Sequence, residues 1–126
     1  MSAGSALQAA LAAALSDTGA FDGVYDGPPA RAAYPYVSLD ASRESDWSHK
    51  TGDGREVFAA LTVWDEAPAA MHSLADRVEE AVASVQTVEG HELVSLRFLK
   101  RRIVRDVAGP WAATVDFRAR LLATPS

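Results

Sequence analysis

The amino-acid sequence predicts an α+β fold, in which two helices pack on one face of an antiparallel sheet and a long loop joins the first strands. Two segments carry apolar residues at the three-and-four spacing of an amphipathic helix. Other segments alternate apolar and polar residues, as half-buried strands do. A length of 126 residues suits one hydrophobic core, so residues 1–126 are expected to form a single domain.

The predicted helices cover residues 5–15 and 67–86. In the first, leucine and alanine recur every three or four positions, and Gly19 beyond it suits the positive φ that often ends a helix. The second follows Asp65-Glu66-Ala67-Pro68, where acidic side chains and a proline favour a helix N-terminus. Its apolar residues keep the helical spacing, so this helix is expected to bury one face.

The predicted strands are 36–39, 56–64, 93–105 and 111–122, with a weaker candidate at 21–25. The strand at 56–64 is apolar on both faces, which is typical of a central strand. Along 93–105 the apolar residues change from one face to the other, and such a change of phase needs a bulge or a bend. The strand at 111–122 alternates as a strand with one solvated face does. A turn within residues 106–110 is expected to join the last two strands.

The polar segment from Asp40 to Gly54 is predicted to be a loop of about fifteen residues, a length that is usually functional or disordered. Asp53-Gly54 is a strong signal for a tight turn at its end. Trp47 lies within the loop, and an exposed indole there would mark a surface that another chain covers. A second interpretation is equally open, in which Trp47 folds back onto its own domain.

The same loop contains the residue types of a hydrolase triad, namely Ser48 and His49 with Asp46 or Asp53. Triads are built from groups that are separated in sequence and held on rigid elements, whereas these residues lie together in one polar segment. The pattern therefore does not support catalysis. A small ligand-binding or enzymatic α+β domain, with a pocket beneath the loop, is retained as the alternative of another class.

No pattern indicates a metal ion or a cofactor. The histidines at 49, 72 and 91 lack the spacing of metal ligands, and His72 with Asp76 fits a solvated pair on a helix. Gly52-Asp53-Gly54 lacks the further glycines and the lysine of a phosphate-binding loop. The chain contains no cysteine, which excludes disulfides and cysteine-ligated metals and fits synthesis in the cytoplasm. The apolar stretch Met1 to Leu15 has no Lys or Arg before it, and no apolar run elsewhere is long enough to span a membrane, so neither export nor insertion is expected.

Charge is distributed unevenly along the chain. Residues 1–90 carry 14 Asp and Glu against 5 Lys and Arg, whereas residues 91–126 carry 3 against 7. If the opposite charges lie on two faces of the subunit, they would suit head-to-tail packing of copies. The alternative is that the acidic and basic side chains pair with each other within one domain. The basic residues of 93–105 could contact the phosphates of a nucleic acid, or they could protect an edge strand from pairing with other strands. Because the net charge of the chain is −5, the protected edge is favoured over nucleic-acid binding.

Three motifs resemble those of a known family. They are Trp47-Ser48 through Glu56, Val63-Trp64, and Leu93-Val94-Ser95-Leu96-Arg97-Phe98-Leu99. With the order of strand, polar segment, strand and helix, they make the chain similar to the tail-completion or tail-terminator proteins of long-tailed phages and of phage-derived gene transfer agents. The likeness extends from the N-terminal helix to the strand at 117–120.

The resemblance implies a structural protein without catalysis or cofactor that caps the finished tail tube, ends its polymerisation and joins the tail to the capsid neck. It implies a ring, commonly of six subunits, that is assembled at the joint between tail and neck. The implied partners are further copies of the chain, the tail-tube protein and a neck stopper or adaptor protein. DNA would at most pass through the ring lumen. Another neck component (a stopper), or a tail-tube protein of the same particle, is the nearer alternative.

Two contact surfaces are expected from the resemblance and from the uneven charge. One is the polar segment 47–55, and the other is the basic strand 97–105. The candidate interface residues are Trp47, Lys50, Asp53, Arg55, Arg97, Lys100, Arg101, Arg102 and Arg105.

Overall fold

The computed structural model describes residues 1–27, 29–105, 107 and 109–125. Its elements are helix α1 (Ala3–Asp17), strands β1 (Gly23–Asp26), β2 (Tyr36–Asp46) and β3 (Gly54–Asp65), helix α2 (Met71–Ala83), and strands β4 (His91–Arg105) and β5 (Trp111–Ala123). A short 3-10 helix, Pro68–Ala70, precedes α2. The turn predicted within 106–110 includes Asp106 and Ala108, which lie outside the described residues.

The five strands form one sheet in the order β1-β2-β3-β5-β4. β1 runs parallel to β2, and every other neighbouring pair is antiparallel. The predicted α+β class is confirmed, and the parallel β1 makes the sheet mixed. β3 is the middle strand, as its two apolar faces predicted.

Both helices cover the same face of the sheet and close a single core. The inward residues of α1, α2 and β3 are fully buried because each element turns its apolar set towards the others. The largest fully buried side chains are Leu7, Leu11, Leu15, Leu39, Leu61, Met71, Leu121, Val37, Val57, Val63, Val78 and Val82. The other sheet face, called here the open face, is covered by neither helix.

Local signals fix the helix ends. Ser2 caps α1, and its hydroxyl oxygen accepts a hydrogen bond of 3.1 Å from the Ser5 amide. Gly19 follows α1 with φ 67°, as predicted. The residues 67–70 that were predicted as the start of the second helix form the 3-10 turn instead, since Pro68 can open a helical turn without an amide to donate.

β2 is longer than the sequence predicted, which corrects the loop at 40–54. The strand continues to Asp46, and its residues Arg43 to Asp46 pair with the start of β3. A bulge interrupts the pairing after Asp40, and the Asp40 carboxylate accepts a hydrogen bond of 2.9 Å from the Ser42 amide there. The side chains are polar because this end of the strand is largely solvated, so backbone pairing alone makes it a strand. The loop is confined to residues 47–53.

β4 carries the irregularity that its change of phase predicted. The register with β5 shifts between Leu93 and Ser95 and again between Phe98 and Lys100. Each shift lets a different set of apolar residues face the helices. β4 is also an edge of the sheet.

One end of the sheet, called here the hairpin end, holds the β2–β3 turn together with both ends of the described chain. The Ala123 amide donates to the Asp53 carbonyl at 2.8 Å, and the Thr124 amide donates to the Gly90 carbonyl at 3.0 Å. Residues 1–3 line a cavity of about 240 Å³ with Asp53 and Ala123. Ala123 at the end of β5 and Thr124 after it therefore tie two turns together.

Candidate interaction surfaces

The turn between β2 and β3 is ordered by its own backbone. The Trp47 amide donates to the Gly54 carbonyl at 2.9 Å, and the His49 amide donates to the Gly52 carbonyl at 2.8 Å. Gly54 is buried, and a Cβ there would lie 2.8 Å from the carbonyl carbon of Trp47. A side chain at this position would meet the Trp47 backbone, so the close approach requires glycine.

Trp47 is half-buried and packs on its own domain. The Arg120 guanidinium lies 5.4 Å from the centre of the indole, and the His49 ring meets the indole edge-on at 4.6 Å. Arg120 is itself held, since its Nε donates to a Glu56 carboxylate oxygen at 2.9 Å. The indole is thus oriented by the sheet while part of it faces solvent. Trp47 folds back onto its own domain, and a contact of its exposed part with another chain stays a prediction.

Ser48 and His49 are not arranged as a nucleophile and its base. The Ser48 hydroxyl donates to the Asp46 carboxylate at 2.6 Å and accepts from the Gly54 amide at 3.1 Å. Both bonds fasten the turn, whereas the His49 ring packs on Trp47. The geometry of this group is that of a turn cap.

The remaining predicted residues of this segment lie at its surface. Lys50, Asp53 and Arg55 are exposed. The Arg55 guanidinium lies 3.7 Å from the Glu44 carboxylate across the β2–β3 pair, and the Arg55 side chain stays 58% exposed. The turn and the start of β3 therefore expose two cations and a carboxylate close to Trp47 in the chain.

The basic residues predicted on β4 divide into two groups. Arg97, Lys100, Arg102 and Arg105 are exposed. Lys100 lies 3.9 Å from the Asp116 carboxylate on β5, and its side chain is 78% exposed. Among the described residues, Arg97 and Arg102 have no carboxylate within 4.0 Å. These exposed cations are available to another molecule.

Arg101 faces the helices and is engaged within the domain. Its Nη1 donates to Asp76 at 2.7 Å and to Glu79 at 2.6 Å, both on α2, and its Nη2 lies 3.2 Å from Nδ1 of His72. Hydrogen bonds to Asp76 and Glu79 raise the pKa of Arg101 above its ordinary value. The sequence predicts that His72 and Asp76 lie together on a helix. Only the fold shows that Arg101 of β4 contacts both.

β4 also exposes large apolar side chains. Val94, Phe98, Leu99 and Val104 are between 41% and 49% exposed. On the helix side, a groove of about 720 Å³ runs between α2 and β4, and Val85, Leu96 and Phe98 contribute to its lining. An edge strand that combines apolar side chains with unpaired cations has the character of a protein interface.

An aromatic cluster occupies the open face at the end away from the hairpin. Tyr36 stacks with Tyr34 at 5.8 Å and with Trp64 at 6.1 Å, and meets Tyr25 edge-on at 6.0 Å. Burial, followed by the neighbouring phenols Tyr34 and Tyr25, raises the pKa of Tyr36, so it stays neutral at physiological pH. The sequence analysis missed this cluster because only the parallel β1–β2 pairing brings Tyr25 beside Tyr36.

Comparison with known proteins decides the family. The model of a family described as tail completion protein gp17 matches residues 5–122. This chain belongs to that family. The comparison with curated proteins gives no match.

Two solved structures agree with the family. A chain in the virion of a native gene transfer agent (GTA) particle is 30% identical with a TM-score of 0.73, and the match covers 96% of this chain and 95% of that one. The structure of the bacteriophage SPP1 gp17 protein is 21% identical with a TM-score of 0.64, covering 97% of this chain and 91% of that one. The second likeness shows a shared fold.

In the described part of the chain, no cluster of three or more His, Asp or Glu side chains is placed to hold a metal ion. None of the helices described is long and apolar enough to cross a membrane. The hairpin turn, the β4 edge and the aromatic cluster are the three surfaces described above.

Proposed function

We propose that this tail completion protein is a tail terminator of a phage or gene transfer agent particle. It caps the tail tube, ends tube polymerisation and joins the tail to the capsid neck. The observation that carries the proposal is the match to a chain of the gene transfer agent virion, because it spans nearly all of both chains. The chain acts as a single domain and as a structural protein without catalysis, made in the cytoplasm and assembled at the tail–neck joint.

The working form in this proposal is a ring, with six subunits as the expected number. Head-to-tail contacts between copies need two different, complementary surfaces on each subunit. The exposed cations of β4 supply one sign of charge, and exposed acidic residues such as Asp40 and Asp46 on β2 supply the other. The proposed contact residues on β4 are Arg97, Lys100, Arg102 and Arg105, because Arg101 is already held by α2.

The hairpin turn is the proposed docking surface for a second protein, either the tail tube or the neck. It is closed by backbone hydrogen bonds at one end of the sheet, and it contains or adjoins Trp47 and the exposed residues Lys50, Asp53 and Arg55. An oriented, half-exposed indole among charged groups is typical of an interface anchor. DNA would at most pass through the ring lumen.

The test combines assembly with function. Native mass measurement of the purified chain, alone and with tail-tube protein, should show a closed oligomer. Adding the chain to growing tubes should give tails of uniform length that join capsids in electron micrographs. Tubes that continue to grow in its presence would overturn the terminator role.

A neck stopper is the second candidate, because a terminator and a stopper both present contact surfaces at the same joint. The two are separated by the order of binding. A terminator binds a tail tube in the absence of capsids, whereas a stopper binds DNA-filled capsids in the absence of tails. Pull-down with each purified assembly therefore distinguishes the two candidates.

A further inference from the structure

The sheet has two open edges in the described chain. β4 pairs with β5 on one side, and no strand lies along its other side. At the opposite edge, β1 pairs with β2 only over Tyr36–Leu39, so the segment Asp40–Asp46 is paired with β3 alone. β4 therefore offers a row of backbone amides and carbonyls to another strand, and β2 offers the segment Arg43–Asp46 beyond its bulge, where the Ser42 amide is already bonded to the Asp40 carboxylate.

β4 has two features that normally blunt an edge, five Lys or Arg residues and two bulges, but it also exposes large apolar side chains. Val94, Phe98, Leu99 and Val104 are each exposed by 41% to 49%. A long edge strand with apolar side chains in water invites pairing, and proteins that remain monomeric blunt such edges. The two bulges twist β4 but leave pairing possible between and beyond them.

The two edges carry opposite charge. β4 has five Lys or Arg residues and one Glu, whereas Gly23–Asp26 and Asp40–Asp46 together have four Asp or Glu residues and one Arg. Complementary charge favours encounter between unlike edges and disfavours encounter between like edges. The partner that fits β4 is thus already present on the chain itself.

We propose that β4 of one copy pairs with the edge formed by β1 and β2 of the next copy, so that the sheet continues from subunit to subunit. This inference rests on the proposed ring and assigns the contact that closes it. The contact is heterologous, since two different edges meet, and repetition of a heterologous contact gives a ring when the rotation closes.

The topology fixes the direction of the new pair. β2 and β5 run in the same direction, because each is antiparallel to β3. β4 is antiparallel to β5, so it runs opposite to β2. If successive copies keep their helices on the same side, β4 meets β2 of the next copy as an antiparallel neighbour.

Each edge also has room on its helix side. The groove of about 720 Å³ lies between α2 and β4. A second groove of about 540 Å³ lies between α1 and the β1–β2 edge, with Ala9, Ala12 and Ala41 in its lining. In a continued sheet the two grooves adjoin, and the exposed half of Phe98 meets small side chains on the neighbouring α1.

Cysteine cross-linking tests the contact directly, because the chain has no cysteine of its own. Ser45→Cys is combined in turn with a cysteine at Val94, Arg97, Leu99 or Val104. Oxidation of the assembled protein should give covalent ladders that are strongest at one β4 position. The matched control pairs Ser45→Cys with Ser73→Cys on the exposed side of α2, and should give none.

Hydrogen exchange of the unmodified chain provides the second measurement. On assembly, amides of β4 and of Asp40–Asp46 should both exchange at least about tenfold more slowly. Closed rings without cross-links, or with β4 unprotected, would overturn the shared sheet while leaving the proposed function standing. Protection of β4 only when tail-tube protein is added would assign the edge to that protein instead of a second copy. A chain that forms no oligomer, alone or with tube protein, would overturn both proposals.

Discussion

Arg101 on β4 donates a hydrogen bond of 2.6 Å from Nη1 to a carboxylate oxygen of Glu79 on α2. The bond ties an edge strand to the helix that covers its neighbour, and the same nitrogen also reaches Asp76. Arg102, the next residue in the sequence, is exposed instead. The two arginines, adjacent in sequence, therefore have different roles.

Arg101→Met should destabilise the domain by about 1 kcal/mol, because the bonded groups are partly exposed and two α2 carboxylates lose their shared cation. Arg102→Met should leave stability within about 0.5 kcal/mol. Urea denaturation measures both. Equal losses in the two variants would contradict the division of roles.

Arg102→Glu should weaken ring formation without unfolding the subunit, since it reverses an exposed charge on the β4 edge. The effect should shrink at high salt because exposed charges are screened over about 10 Å at 0.1 M. Native mass spectra across an ionic-strength series record it. A charge reversal of Arg101 and Arg102 together would mix this effect with loss of the α2 contact, so the single variant is the cleaner probe. Unchanged assembly at every salt concentration would remove Arg102 from the interface.

Trp47→Ala should impair the joining of tails to capsids, with a loss of about 2 kcal/mol or more in binding if the indole anchors a partner. His49→Ala is the matched control, because His49 contacts the same indole but its backbone makes the turn bond. Particle reconstitution scores both variants. If His49→Ala abolished joining while the subunit still assembled, a chemical role for His49 would replace the structural one.

Gly54→Ala should cost about 1–3 kcal/mol of stability, because the new methyl group would meet the Trp47 backbone and cannot be relieved by a side-chain rotation. Gly52→Ala, in the same turn, meets nothing within 4 Å and should be nearly neutral. Thermal unfolding of the pair compares them. A stable Gly54→Ala protein would show that the turn is more adaptable than its geometry indicates.

Leu61→Ala should cost about 2–5 kcal/mol, since Leu61 is fully buried in the central strand. Leu99→Ala should change the stability of the isolated subunit little, because Leu99 is 46% exposed, but it should weaken assembly. Denaturation measures the stability of each variant, and native mass spectra of the same samples measure its assembly. Together they distinguish a core residue from an interface residue. A Leu99 variant that assembles normally would place Leu99 outside the contact.

Tyr36→Phe should make the protein less sensitive to alkali. Because the pKa of Tyr36 is raised on folding, its contribution to stability is complete below the ordinary value of 10.0 and is lost as pH rises through the folded value. The wild type should therefore lose more stability than the variant above about pH 10. Parallel loss in the two proteins would show that Tyr36 is not the group responsible.

The sequence predicts the elements whose apolar period is strong. α2 and β5 turn one apolar face inwards, and β3 turns two, so pattern alone places them. The end of β2 could not be predicted, because residues 43–46 are a strand only through backbone pairing with β3. The parallel pairing of β1 with β2 could not be predicted either, because the four residues of β1 are too few to show a periodic pattern that would indicate its neighbouring strand.

The candidate surfaces were predictable as segments but not as side-chain roles. The sequence marks Trp47 and the run from Arg97 to Arg105, yet the direction in which each side chain points depends on the two bulges of β4. Those bulges turn Arg101 towards α2 and leave Arg102 outside. The contact of Trp47 with Arg120 joins residues from distant strands, which no local pattern contains.

The hairpin end gathers the β2–β3 turn, the first residues of α1 and the last residues of β5. A gold-binding tag or fluorescent protein fused to the first or last residue would consequently project from the hairpin end. Such a label, located in particle images, would report whether the turn points towards the capsid or down the tail. In the proposed ring, a bulky fusion would obstruct the hairpin end and leave the opposite end free, so tagging would block one proposed partner while the other could still bind.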